Sequence, residues 1–187
     1  NCWKIGYNWK RKGNSLWGNL LDIKMKKFNV LISTFFGNGY VSKLPGTLTS
    51  LSTLIILYVV FEVLNFRNLN YILILYSIIF FYSFYAVMDS ETEFEIKDPK
   101  QIVIDEVLGQ TLPIILILYL SSNNLISLRV EIYYLISFIL FRFFDIVKPF
   151  PVSYFDKNHK NFFGIIMDDI MAGLYTMLII YLVSLKF

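Results

Sequence analysis

The chain has 187 residues, of which 56% are hydrophobic, 18% aromatic and only 17% charged. Soluble domains carry roughly 45–50% apolar and about 25% charged residues, so this composition excludes a disordered chain, a small disulfide scaffold and a conventional soluble globule. The single Cys2 excludes an intrachain disulfide and any multi-cysteine metal site. Part of the apolar excess is codon usage: 18 Phe and 13 Tyr against two alanines, Ala86 and Ala172, is the pattern an AT-rich genome leaves. With two distant alanines there is no A-x-A secretory cleavage pattern.

The net charge of +3 conceals an asymmetry. Residues 1–30 hold seven basic groups (Lys4, Lys10, Arg11, Lys12, Lys24, Lys26, Lys27) and one acid, Asp22, so the remainder is net acidic. No basic face or aromatic reading surface follows this patch, which argues against nucleic acid as a partner. Beside an apolar body it reads instead as a cytoplasmic anchor under the positive-inside rule. The first residue is Asn, and Met25 is an alternative start just before periodic sequence begins. Residues 1–24 are therefore expected to be a dispensable extension, with residues 25–187 as the folded membrane domain.

Five apolar segments follow: 48–64, 69–88, 107–122, 130–144 and 170–185. The second runs twenty residues without a charge, about the length a bilayer core requires. Pro113 interrupts the third and Arg142 the fourth, so those two are expected to be tilted, re-entrant or buried. The expectation is an all-α polytopic membrane bundle of four to five hydrophobic helices; a soluble bundle with very apolar helices is the alternative. Five spans from a cytoplasmic N-terminus place 25–47, 89–106 and 145–169 on one membrane face. Nearly all remaining ionisable residues lie in those three stretches, as an interfacial active site would need.

In the first stretch, Lys43-Leu-Pro-Gly-Thr-Leu-Thr-Ser50 combines turn residues with Thr47, Thr49 and Ser50 as helix caps. Free N–H groups at such a helix start, with Lys43 and Thr47 nearby, suit a phosphate; a simple capped entry is the alternative. The second stretch carries Asp98-Pro99 and Ile102-Val-Ile-Asp105-Glu106-Val-Leu-Gly109. Glu91, Glu93 and Glu95 read as a solvated face, whereas Asp105 and Glu106 lie between apolar runs where ionised carboxylates are costly. Gly109, one turn on, admits a close neighbouring backbone.

The third stretch is the richest. Arg142, Asp145 and Lys148 fall at i, i+3 and i+6, so a helix places them within about a third of its circumference before Pro149 and Pro151 stop it. A salt-bridge ladder is the alternative. Beyond a polar loop (Asp156, Lys157, Asn158, His159) comes Gly164-Ile-Ile-Met-Asp168-Asp169-Ile-Met-Ala172-Gly173. Two adjacent carboxylates at the mouth of an apolar helix repel each other, and a divalent cation relieves that. The inventory of Asp105, Glu106, Asp145, Asp168 and Asp169 offers oxygen ligands, which suit Mg²⁺ or Mn²⁺ and leave zinc without its usual ligands. With Lys43, Arg142 and Lys148 as cations, the substrate is expected to be phosphorylated.

The ordered motifs LPGTLTS (44–50), DPKQIVIDEVLG (98–109), FRFFDIVKPFPVSYFDKN (141–158) and GIIMDDIMAG (164–173) resemble bacterial phosphatidylglycerophosphatase A over roughly residues 31–185. The resemblance implies a Mg²⁺-dependent, multi-pass inner-membrane phosphatase. Such an enzyme converts phosphatidylglycerophosphate to phosphatidylglycerol and phosphate, with its active site facing the cytoplasm. It implies catalytic roles for Asp105, Glu106, Asp145, Asp168 and Asp169. Metal would be held by Asp105, Glu106, Asp168 and Asp169, and substrate by Lys43, Thr47, Arg142, Lys148 and Asp156, with Arg142 and Lys148 on its phosphate. Two departures stand out: Asn161, Phe162 and Phe163 replace the family's glycines before Gly164, and Thr49 replaces a glycine after Pro-Gly-Thr. Both are expected to stiffen loops near the phosphate. Competing readings are a related phosphatase for another phosphomonoester, and a non-catalytic membrane subunit or transporter with the acids as an ion path.

Overall fold

The computed structural model describes residues 16–94, 99–126, 128–158 and 162–186, with the side chains of 16–22, 91–94, 156–158 and 186 also left undescribed. Seven helices make up these residues: α1 (Leu16–Ser33), α2 (Pro45–Tyr58), α3 (Leu69–Phe94), α4 (Ile104–Ser122), α5 (Val130–Val147), α6 (Val152–Asn158) and α7 (Phe162–Lys186). A short 3₁₀ turn, Asn38–Tyr40, precedes α2, and a π turn, Val59–Val63, extends it. The five expected apolar segments are thus α2, α3, α4, α5 and α7. The largest difference is in α7, which starts eight residues before the expected segment. Asp168 and Asp169 therefore sit nearly two turns inside a helix.

Side-chain contacts define the direction of each helix. At one end, Gly46 of α2 faces Glu106 of α4 and Arg142 of α5. At the other, Phe61 after α2 packs with Ile117 and Leu118 of α4, Tyr134 of α5 and Ile180 of α7. So α2, α4 and α7 run away from the charged end, and α5 returns toward it. Helix α3 also returns: Tyr76 donates to the carbonyl of Leu108 at 3.3 Å, and Val87 packs with Ile102 and Ile104. Helix α1 is tied to the end of α3 by Asn29 to Asp89 (2.7 Å), Tyr82 to Asn29 (2.6 Å) and the Ser33–Ser90 hydroxyl pair (2.9 Å).

The outward surface is greasy. Leu73, Ile74, Leu75, Ile78 and Phe81 of α3 are exposed, as are Ile55 and Ile56 of α2 and Leu174, Leu178 and Leu182 of α7. Soluble monomers rarely expose contiguous apolar patches beyond a few hundred Å², so the soluble-bundle alternative fails here. Among the described residues, four helices are long and apolar enough to cross a membrane: Pro45–Val63, Leu69–Ser90, Ile104–Ser122 and Phe162–Leu185. Helix α5 carries Glu131, Arg142 and Asp145 within its 18 residues, yet it runs the depth of the bundle between the same two ends. Glu62, the charge that closes the first apolar segment, pairs with Arg67 and accepts from Tyr134 at 3.4 Å.

One contact sets the depth at which α4 and α7 cross. Pro113 has no N–H to return to the carbonyl of Gly109 four residues earlier. That carbonyl instead faces Gly173, where an added Cβ would overlap it. A Cβ on Gly109 would lie 2.5 Å from the Asp169 carbonyl and 2.6 Å from the Phe141 ring. The close approach expected at Gly109 is thus realised, against Gly173: the adjacent Ala172 is fully buried, and the two glycines let the backbones touch. This contact draws the start of α4 against the second turn of α7.

Candidate active site

At the charged end the helices open into a cleft of about 680 Å³. It is lined by Lys43 to Thr47, by Lys100 and Ile102, by Asp105 and Glu106, by Arg142, Asp145 and Lys148, and by Gly164, Ile165, Asp168 and Asp169. Nine of the ten residues expected in the site from sequence therefore line one cavity. The tenth, Asp156, falls in α6 with its side chain outside the described residues, and His159 lies outside them altogether.

The entry to α2 differs from the expected cap. Its N-cap is Leu44, with no side-chain hydrogen bond, and Pro45 occupies the first turn. The first backbone bond of the helix runs from Leu48 N to Leu44 O, so the N–H groups of Gly46 and Thr47 have no intrahelical acceptor. They belong to residues that line the cleft. Thr49 and Ser50 are buried inside the helix: Thr49 accepts from Asn38 at 3.1 Å, and Ser50 donates to the Gly46 carbonyl at 2.8 Å. Thr49 thus stiffens no loop, because the position is helical. Gly46 leaves room for the Glu106 carboxylate: a Cβ there would meet Oε1, and the Glu106 side chain would have to shift.

Asp105 and Glu106 occupy the first turn of α4, and Asp169 reaches them from α7. Each of the three offers a carboxylate oxygen, and these oxygens all lie within 4.8 Å of one another. Asp105 Oδ1 and Glu106 Oε2 are buried with no hydrogen-bond partner. Buried, unpartnered acceptors of like charge repel, and a shared cation offsets both the desolvation and the repulsion. Three converging hard oxygen donors fit Mg²⁺. The fourth carboxylate nominated for metal, Asp168, is directed elsewhere. Its Oδ2 receives Lys148 Nζ at 2.7 Å, and its Oδ1 accepts the Asp169 N–H at 3.0 Å.

The Arg–Asp–Lys ladder forms only in part. Arg142 Nη1 meets Asp145 Oδ2 at 2.8 Å across one helical turn. Lys148 leaves that face, because α5 ends at Val147 and Lys148 is its C-cap in the left-handed region (φ 47°). That turn sends the ammonium across to Asp168 on α7. Arg142 also touches Ser50 at 3.5 Å, and its Nε is buried without a partner. The glycines expected before Gly164 are replaced by aromatic packing. Phe162 and Phe163 form the first turn of α7, and the Phe163 ring lies 5.9 Å from Phe84 and 6.4 Å from Phe155.

Lys100 is a cleft residue that spacing alone did not single out. It sits inside the Asp98–Gly109 motif, on a loop whose position depends on the turn before α2. A Cβ at Gly39 would overlap the Gln101 carbonyl, and Val103 N donates to the Ser33 carbonyl at 2.9 Å. These contacts press the α1–α2 and α3–α4 loops together and bring Lys100 to the cleft that Lys43 also lines.

Fold and site together define an all-helical membrane protein with a carboxylate-and-cation cleft at one end of its bundle, suited to a phosphate ester. Comparison with known proteins agrees: the family model for phosphatidylglycerophosphatase A matches residues 31–184, and the chain belongs to that family. It is a phosphatase. A phosphatidylglycerophosphatase A of Haemophilus influenzae is 31% identical over 154 residues, covering 82% of this chain and 87% of that protein. That of Escherichia coli is 27% identical over 162 residues, covering 87% of each. A Bacteroides thetaiotaomicron protein named "Putative phosphatidylinositol-3-phosphatase" is 34% identical over 152 residues, covering 81% of this chain and 90% of its own. No solved structure matches.

Proposed function

We propose that the chain hydrolyses phosphatidylglycerophosphate to phosphatidylglycerol and inorganic phosphate, in a Mg²⁺-dependent reaction that completes phospholipid headgroup synthesis. The observation that carries this reading is the buried trio Asp105, Glu106 and Asp169, with two partnerless oxygens, in the same cleft as Arg142 and Lys148. When bound there, Mg²⁺ would orient the phosphate and lower the cost of presenting hydroxide. The chain's own groups do the rest. Arg142 and Lys148 offset charge on the equatorial phosphate oxygens, and Asp145 and Asp168 hold those two cations in place. The N–H groups of Gly46 and Thr47, which have no intrahelical acceptor, would donate to a further phosphate oxygen. Water adds to phosphorus, the phosphorus–oxygen ester bond breaks, and the glycerol oxygen leaves with a proton.

Location follows from the same physics. The cleft opens at the helix ends, a position that suits the headgroup layer rather than mid-bilayer. With the basic N-terminal stretch in the cytoplasm, the cleft faces the cytoplasmic leaflet of the bacterial inner membrane. The B. thetaiotaomicron relative's name supports a second reading, a phosphoinositide headgroup, because both lipids present a phosphomonoester on a polyol.

Phosphate release by purified protein in mixed micelles tests both readings. Phosphatidylglycerophosphate is expected to turn over at a rate that chelation lowers by at least about 100-fold and Mg²⁺ restores, the scale of removing a site's main electrostatic group. Turnover that survives chelation would remove the metal. Release from phosphatidylinositol 3-phosphate, with none from phosphatidylglycerophosphate, would replace the substrate.

A further inference from the structure

The cleft is much larger than one phosphate group, and its cations fall into two sets. Arg142 and Lys148 sit by the carboxylates, each already paired with an acid. Lys43 and Lys100 are exposed, and neither forms an ion pair with a described residue. Both belong to the loops that pack together through Gly39 and Gln101. Apolar side chains flank Lys43: Val41 is 75% and Leu44 68% exposed. Acyl chains would lie against such groups at the membrane surface. From buried to exposed, the site therefore presents a carboxylate trio, a paired cation set, a cation set with no ion pair to a described residue, and an apolar rim.

We propose that Lys43 and Lys100 form a second anion subsite that binds the phosphodiester of the lipid while the terminal phosphomonoester occupies the inner site. The inference rests on the functional reading above and adds a basis for selectivity. The preferred substrates are lipids whose headgroup carries a monoester beyond a diester. Phosphatidate, whose only phosphate is the monoester, cannot fill both subsites. The reaction product keeps the diester, so it still binds the outer subsite after phosphate has left.

The test compares wild type with Lys100→Gln, and with Lys27→Gln as a control that removes one charge from exposed α1. Each is assayed on phosphatidylglycerophosphate and on phosphatidate, and each is tested for retention of labelled phosphatidylglycerol in detergent, a readout that needs no turnover. Lys100→Gln is expected to lower the phosphatidylglycerophosphate-to-phosphatidate ratio of kcat/KM about tenfold, the scale of one charge-assisted contact, mainly through KM. It also weakens phosphatidylglycerol retention about tenfold, while Lys27→Gln moves neither quantity. Equal losses on both lipids, or unchanged phosphatidylglycerol retention, would overturn the subsite and leave the function standing. Wild type that retains phosphatidylglycerol through Lys100 but releases no phosphate from phosphatidylglycerophosphate would overturn the function and leave the subsite.

Discussion

Asp169→Asn is expected to lower kcat for phosphate release by roughly three orders of magnitude, at the upper end of losses from single electrostatic groups. The substitution keeps the size of the side chain. It removes one of three charges that converge within 4.8 Å and turns an acceptor into a group that also donates. The Mg²⁺ concentration giving half-maximal activity should rise at least tenfold, because one anionic ligand is lost. Stability should move the other way. Without metal, Asp105, Glu106 and Asp169 repel one another in a buried site, so the variant should melt a few degrees above wild type in chelator. Thermal melting with and without Mg²⁺ reads this directly. Wild-type turnover in Asp169→Asn would remove it from the reaction.

Gly109→Ala tests the scaffold rather than the chemistry, and its effect on turnover should be about tenfold smaller. The new methyl group would lie 2.5 Å from the Asp169 carbonyl and 2.6 Å from the Phe141 ring. The backbone on one side cannot yield as a flexible side chain would, so α4 and α7 must separate. Overpacking of this kind costs about 1–3 kcal/mol. The same shift moves Asp105 and Glu106 relative to Asp169, and a displacement of about 1 Å in a catalytic constellation costs on the order of 100-fold in rate. The expected result is a folded membrane protein with a lowered melting temperature, turnover reduced about 100-fold, and a weaker response to added Mg²⁺. A variant with wild-type turnover would show that the crossing has slack.

The positions of these residues were open to sequence reading to different degrees. Asp105 and Glu106 stood out because apolar runs on both sides make ionised groups expensive there. Asp168 and Asp169 stood out as adjacent acids in an apolar stretch. Their division of labour did not show. Adjacent residues on a helix point about 100° apart, so only one of the pair can face α4, and nothing local says which. Asp169 faces Asp105 and Glu106, and Asp168 takes Lys148. Lys148 was expected on one helical face with Arg142 and Asp145, but the left-handed turn at the end of α5 redirects it. The capping roles expected of Thr47, Thr49 and Ser50 go unfilled, because the helix begins at Pro45, ahead of the hydroxyls, with Leu44 as an N-cap that makes no side-chain hydrogen bond. Lys100 lay within a recognised motif, yet its contribution depends on one loop resting on another.

Sequence alone determined that the chain is helical, that it carries apolar runs of bilayer length, and that most of its charges fall in three stretches between them. Each of these follows from a one-dimensional pattern: run length against bilayer thickness, and the cost of charge in an apolar segment. The order of four motifs also identified the family. Which side chains meet was decided only in three dimensions. The trio depends on how closely α4 and α7 approach, and that distance is set by atoms that are missing: the Cβ of Gly109, the Cβ of Gly173 and the N–H of Pro113. A missing atom has no hydropathy and no period, so its effect appears only when a second helix fills the space.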